Sequence, residues 1–163
     1  MTNNMQRQIC LCVTLTIEMN NAAPVLRDLE KPRFFLSPGR IRDLTQRWID
    51  RLGTKVSDAG LPVSSLSGGN QQRIVLAKWL ATEPKLLILD SPTVGVDVGA
   101  RAGIFEIVTE LARQGLAILL ISDEAPEVYF NSDRVLHMRD GRLVGQHVPA
   151  ETTLDALEEA VHA

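Results

Sequence analysis

Leu66-Ser67-Gly68-Gly69-Asn70-Gln71-Gln72-Arg73 is the stretch from which the rest of this 163-residue chain is read. A small, hydroxyl-bearing turn runs straight into a helical pattern. Ile74, Ala77 and Ala81 share one line of that helix, Leu76 and Leu80 lie beside it, and Val75 pairs with Trp79. Ser67 is placed to cap the helix, and Gly68 and Gly69 let the backbone approach a ligand closely. Such a helix start presents unpaired N–H groups and a partial positive charge, which suits a phosphate. A bare Ser-Gly-Gly is equally the mark of an ordinary capped helix after a loop, so the neighbouring sequence has to decide.

Upstream, residues 9–17 are rich in β-branched side chains and predict a strand. Pro24, Pro32 and Pro38 punctuate the next stretch, with room for a short helix over 25–30. Ser37-Pro38 opens a helix that carries Ile41, Leu44, Trp48, Ile49 and Leu52 on one face and stops at Gly53. A polar loop over 55–65 delivers the chain to the helical pattern that follows Gly69. Downstream the period changes. Leu86-Leu87-Ile88-Leu89 is a continuous apolar run, as expected of a strand buried on both faces of a parallel sheet, and Asp90 ends it. A helix over about 98–114, stopped by Gly115, leads to a second apolar strand over 116–121, which makes a βαβ unit. A short helix over about 125–130 follows. Asp140-Gly141 then turns a hairpin between 135–138 and 143–148, and Thr152 or Thr153 caps a last helix.

Composition narrows the class. Hydrophobic residues make up 45% of the chain and aromatic ones 4%, so the core is mainly aliphatic. A net charge of -3 argues against a nucleic-acid surface, which needs a basic face. Cys10 and Cys12 are read as reduced core thiols of a cytosolic protein, and His137, His147 and His162 show no ligand spacing. No apolar run approaches the roughly 20 residues of a membrane span, so a soluble chain without direct membrane insertion is expected.

The eight residues 66–73 resemble the signature motif of ATP-binding cassette (ABC) ATPases, in the L-S-G-G-N-Q-Q-[RK] form of carbohydrate importers of the ribose or simple-sugar type. Four apolar residues ending in Asp90 resemble the Walker B motif, whose carboxylate holds Mg²⁺ on nucleotide phosphates. Ser91-Pro92-Thr93-Val94-Gly95-Val96-Asp97 is similar to the D-loop of the same family. The resemblance covers roughly residues 40–148, with three motifs in family order. It implies an α/β fold: a partial P-loop NTPase cassette with an incomplete parallel sheet flanked by helices, a small helical subdomain and a C-terminal β-hairpin. Residues 1–17 would be an irregular segment or strand, 18–83 part of the helical subdomain with the signature, and 84–163 the RecA-like lobe.

The same resemblance implies ATP with Mg²⁺ as cofactor. Ser67, Gly68, Gly69, Gln71 and Asp97 would face the nucleotide and Asp90 the metal. The partners would be another ABC cassette and the membrane permease of a sugar importer, on the cytoplasmic side of the membrane. Two positions depart from the family. The glutamate that acts on the attacking water is replaced by Ser91, which cannot be a general base near neutral pH. The histidine that senses the γ-phosphate is replaced by Asp123, whose charge would repel phosphate.

Nowhere does the chain contain G-x-x-x-x-G-K-[ST], the Walker A loop that grips the phosphates, and the family's glutamine loop is not recognisable. The chain therefore reads as the C-terminal part of a second cassette. It would offer Ser67 and Gly69 to a nucleotide held elsewhere, without holding one itself. Residues 9–17 are expected either to fill the sheet slot between 116–121 and 135–138 or to join the helical subdomain from Thr14 onward. Two other functions stay open: a degenerate cassette acting only in protein–protein contact, and a fragment of a nucleic-acid-linked ABC-type ATPase.

Overall fold

The computed structural model describes residues 11–31 and 35–162. The chain divides into two compact units, Met1–Lys85 with Thr93–Val108, and Leu86–Pro92 with Thr109–Ala163.

The first unit is mostly helical. Its elements are α1 (Ile17–Ala22), α2 (Leu26–Leu29), a two-residue antiparallel pair β1 (Glu30–Lys31) and β2 (Phe35–Leu36), α3 (Pro38–Arg51) and α4 (Gly68–Leu80). Helix α5 (Val98–Arg113) begins here and runs on into the second unit. Helix α3 forms as its apolar spacing predicts. Thr45, Trp48 and Ile49 are buried, Leu52 closes the helix, and Gly53 follows in the left-handed conformation at φ 58°. Leu11, Ile17, Ile49, Val63 and Ile74 form one core cluster, with Leu66 packed against it. The first residue of the signature is thereby anchored in the core.

Residues 11–17 do not make the expected strand; residues 9 and 10 of that prediction lie outside the described residues. The segment turns at residues 13–15, and α1 starts at Ile17 with the Thr16 hydroxyl accepting from the Met19 N–H. Its backbone groups pair instead with the loop that leads to the signature. The Ile17 N–H donates to the Leu61 carbonyl (3.1 Å), the Val63 N–H to the Leu15 carbonyl (3.1 Å) and the Ser64 N–H to the Val13 carbonyl (3.0 Å). The β-branched run has found an extended partner, but only one bridge, Thr16 with Pro62, forms before the helix takes over. Among the described residues the sheet-slot idea therefore fails, and the segment packs within the mostly helical first unit.

In the second unit β3 (Leu86–Asp90) and β4 (Ala117–Ile121) pair in parallel, with Leu86 opposite Ala117 and Asp90 opposite Ile121. Burial corrects the sequence reading. Only Leu87 and Leu89 of β3 are buried, while Leu86 and Ile88 on the other face are 52% and 57% exposed. A continuous apolar run predicts cover on both faces; here alternate residues remain uncovered because no described element packs over them. β5 (Val135–Arg139) and β6 (Arg142–His147) form the predicted hairpin. Asp140 and Gly141 both sit at positive φ, 49° and 72°, as a tight hairpin turn of this type requires. Helices α6 (Ala125–Asn131) and α7 (Leu154–His162) complete the unit, joined by the Tyr129 hydroxyl donating to the Thr152 carbonyl (2.9 Å). Thr153 caps α7, its Oγ1 accepting from the Ala156 N–H.

Candidate functional site

The tip of α4 is built by several independent restraints. Leu66 and Ser67 are extended, and the helix begins at Gly68. Ser67 occupies the N-cap position as predicted, yet its hydroxyl makes no capping bond. It accepts instead from the side-chain amide of Asn70 (3.1 Å), whose own oxygen accepts from the Lys55 N–H (3.2 Å). Asn70 competes successfully because, three residues on, its short amide meets the serine hydroxyl within one helical turn. Gln71 turns back as well: its side chain donates to the Leu66 carbonyl (2.9 Å) and its N–H to the Ser67 carbonyl (2.9 Å). No side chain therefore caps this helix start, Ser67 is exposed, and the positive end of the helix points at whatever lies beyond.

Gly69 has a second reason to be glycine. A β-carbon built on it would stand 2.7 Å from the Ala100 β-carbon, closer than real β-carbons come. The tip of α4 thus leans directly on the first turn of α5. That turn is itself capped by Asp97, whose Oδ1 accepts from the Ala100 N–H (2.9 Å) and whose carbonyl accepts from Arg101 (3.2 Å). Ser67, Gly68, Gly69, Gln71 and Asp97 all belong to the same compact unit.

Asp90, Ser91 and Asp123 belong to the other unit. Asp90 is exposed at the carboxyl end of β3, and Asp123 lies just beyond the carboxyl end of β4, on the same edge of the pair. Ligands of open α/β sheets collect at such edges. Ser91 adopts a left-handed conformation, φ 48°, which is uncommon for a residue with a β-carbon. Its N–H donates to the Ile121 carbonyl (2.8 Å) and its hydroxyl to Asp90 Oδ1 (3.3 Å). Ser91 is thus spent on backbone and neighbour. Among the described residues no group of three or more His, Cys, Asp or Glu converges to hold a metal ion. What fits ATP and Mg²⁺ on this chain is therefore partial: an uncapped glycine-bearing helix start for phosphate oxygens and the single Asp90 carboxylate for a metal.

Three features escaped the sequence reading. The guanidinium of Arg73 donates to the carbonyls of Leu52 (2.6 Å) and Gly53 (2.8 Å) at the end of α3. Gly103, inside α5, leaves room for that guanidinium: a β-carbon there would stand 2.6 Å from Arg73 Nη2. The available signal was the glycine itself, which costs about 1 kcal/mol against alanine in a helix interior. In the second unit Glu127 is buried, its carboxylate accepting from the Ser122 hydroxyl (2.7 Å), and no pattern marks that pair.

The family model described as ABC transporter matches residues 4–94. The chain is 45% identical over 131 residues to the arabinose import ATP-binding protein AraG 2 of Burkholderia ambifaria, covering 80% of this chain and 25% of that protein. It is 46% identical over 142 residues to the ribose import ATP-binding protein RbsA of Rhodococcus jostii, covering 86% of this chain and 28% of the other. The chain thus spans about a quarter of the length of these relatives. Among solved structures, the dimeric bacterial ABC transporter cassette MJ0796 superposes with a TM-score of 0.72 at 22% identity, over 87% of this chain and 60% of that one. The structure of cbiO1 from Clostridium perfringens, part of the transporter complex cbiONQ, gives 0.69 at 25% identity, over 91% and 56%.

Proposed function

Since the chain belongs to the ABC transporter family, we propose that it serves as the signature-bearing part of an ATP-binding subunit for the import of a simple sugar. Residues 18–83 supply part of the helical subdomain, and residues 84–163 supply the lobe with the Walker B strand, the D-loop residues from Thr93 onward clustering with the signature. The tip at Ser67, Gly68 and Gly69 faces the terminal phosphates of an ATP molecule seated in the phosphate loop of a partner cassette. Asp97, on the first turn of the helix against which Gly69 packs, lies along the same interface. Closure of the two cassettes over the nucleotide drives a membrane permease, from the cytoplasmic face.

The observation that carries this reading is the exposed, uncapped start of α4, whose serine hydroxyl is held aside by Asn70. Orphan N–H groups and a helix dipole favour phosphate, and each charge-assisted hydrogen bond is worth roughly 1.5–3 kcal/mol. Asp90, in the other unit, is the residue of this chain able to hold Mg²⁺. Ser91 supplies no base, and Asp123 brings negative charge where the family's phosphate sensor is positive or neutral. Hydrolysis at this chain's own Walker B edge is therefore not part of the proposal. The chain contains no Walker A loop, so nucleotide arrives on another polypeptide segment.

The test mixes the chain with a separately purified ABC cassette that carries a Walker A loop and follows Mg²⁺-dependent retention of a fluorescent ATP analogue. The chain should slow release of the nucleotide, and Ser67→Arg should abolish the effect. Unchanged release with the wild-type chain would contradict the reading.

A further inference from the structure

We propose that Arg73 is a positioning residue that fixes the α4 tip against both α3 and α5, so that Ser67–Gly69 and Asp97 move as one body. The inference rests on the reading of that tip as a phosphate-facing element and assigns it the means by which it is held.

Two contacts, one helical turn apart, join α4 to α5. At the first, Gly69 meets Ala100; at the second, Arg73 lies over Gly103. On α4 the contact residues are four apart and on α5 three apart, so each pair falls on a single helix face. Both places have only a hydrogen where a β-carbon would collide, which lets helix backbone and guanidinium come closer than side chains normally permit. Arg73 then does what a simple spacer cannot. Its Nη1 donates to the Leu52 and Gly53 carbonyls, two groups that the end of α3 leaves without helical partners. A cation at a helix C-terminus is also favoured by the helix dipole. The end of α3 is thereby tied to the middle of the signature helix, and the signature helix to the helix that Asp97 caps. A displacement at the end of α3 is passed to the phosphate-facing tip through one side chain.

Arginine suits the post because its planar fork places several donors at once and can lie flat on a glycine face. Lysine keeps the charge but not the fork. The role predicts an ordering of variants: Arg73→Lys intermediate, Arg73→Met worst, and Gly103→Ala resembling Arg73→Met because the added methyl displaces the guanidinium.

Amide hydrogen exchange on the purified chain measures it without nucleotide. The reporters are the Gln71 N–H, bonded to Ser67, the Lys55 N–H, bonded to Asn70, and the Ala100 N–H, bonded to Asp97. In Arg73→Met they should exchange roughly tenfold faster, while the β5–β6 hairpin amides stay unchanged, and Arg73→Lys should restore part of the protection. If Arg73→Met does not fold, Gly103→Ala carries the test, since Arg73 is still present. Unchanged reporters, or equal acceleration in the hairpin, would overturn the positioning role and leave the proposed function standing. Accelerated reporters in a chain that never slows ATP release from the partner cassette would keep the lock and overturn the proposed function.

Discussion

Gly69 shows how one residue can be right for a reason other than the one its motif suggests. A glycine beside a helix start reads as room for a ligand, and the structure adds that it is also room for Ala100. Substitution by valine should therefore destabilise the isolated chain by about 1–3 kcal/mol through overpacking, measurable as a lower midpoint in urea at unchanged slope. Asp97 combines roles in the same way: Asp97→Ala should cost about 1 kcal/mol from the lost cap, while Asp97→Asn, which keeps an acceptor, should cost only a few tenths. Asn21 offers the opposite case. It is fully buried and neither atom of its amide has a partner, whereas the adjacent Asn20 holds the Cys12 N–H and the carbonyls of Cys12 and Thr16. Replacing Asn21 by the similarly shaped leucine should be neutral or stabilising, whereas Asn20→Leu should cost about 1–3 kcal/mol, because the Cys12 N–H loses its partner and the carbonyls of Cys12, Leu15 and Thr16 each lose one of two donors.

At the scale of elements, periodicity was informative where one element meets one core. Helix α3 buries Trp48 and Ile49 and helix α4 buries Ile74, Leu76, Ala77 and Leu80, as 3.6-residue spacing selects, although Trp79 stays exposed. Asp140-Gly141 turns the hairpin because both residues accept positive φ. Ser67 and residues 11–17 were not legible, for a shared reason: each makes its decisive hydrogen bonds with something the local pattern does not contain. The serine hydroxyl goes to Asn70, and the β-branched segment goes to the loop at 59–64. Arg73 was invisible because its partners lie 20 and 21 residues upstream. Strand β3 was legible as a strand, but its burial was not, since cover on a second face depends on what packs there. A direct check compares Leu89→Ala with Ile88→Ala in the isolated chain. The first should cost about 2–5 kcal/mol and the second under roughly 0.5, by chemical denaturation.

For the whole molecule, family membership and a phosphate-suited helix tip stand beside two losses of chemistry. Ser91, which the resemblance aligns with a water-activating glutamate, is held by Asp90 and Ile121, and no Walker A loop is present in the sequence. The family was legible from residues 66–73, 86–90 and 91–97, because their resemblance to the signature, Walker B and D-loop motifs rests on few residues in a fixed order. Which unit carries each was not readable: the D-loop segment clusters with the signature, while Asp90 clusters with the strands. The account as a whole makes the chain a donor of contacts to nucleotide bound elsewhere. Its most direct test is equilibrium titration of the purified chain alone with ATP and Mg²⁺, followed by calorimetry. The account predicts no saturable binding up to millimolar nucleotide; micromolar, Mg²⁺-dependent binding by the chain alone would contradict it.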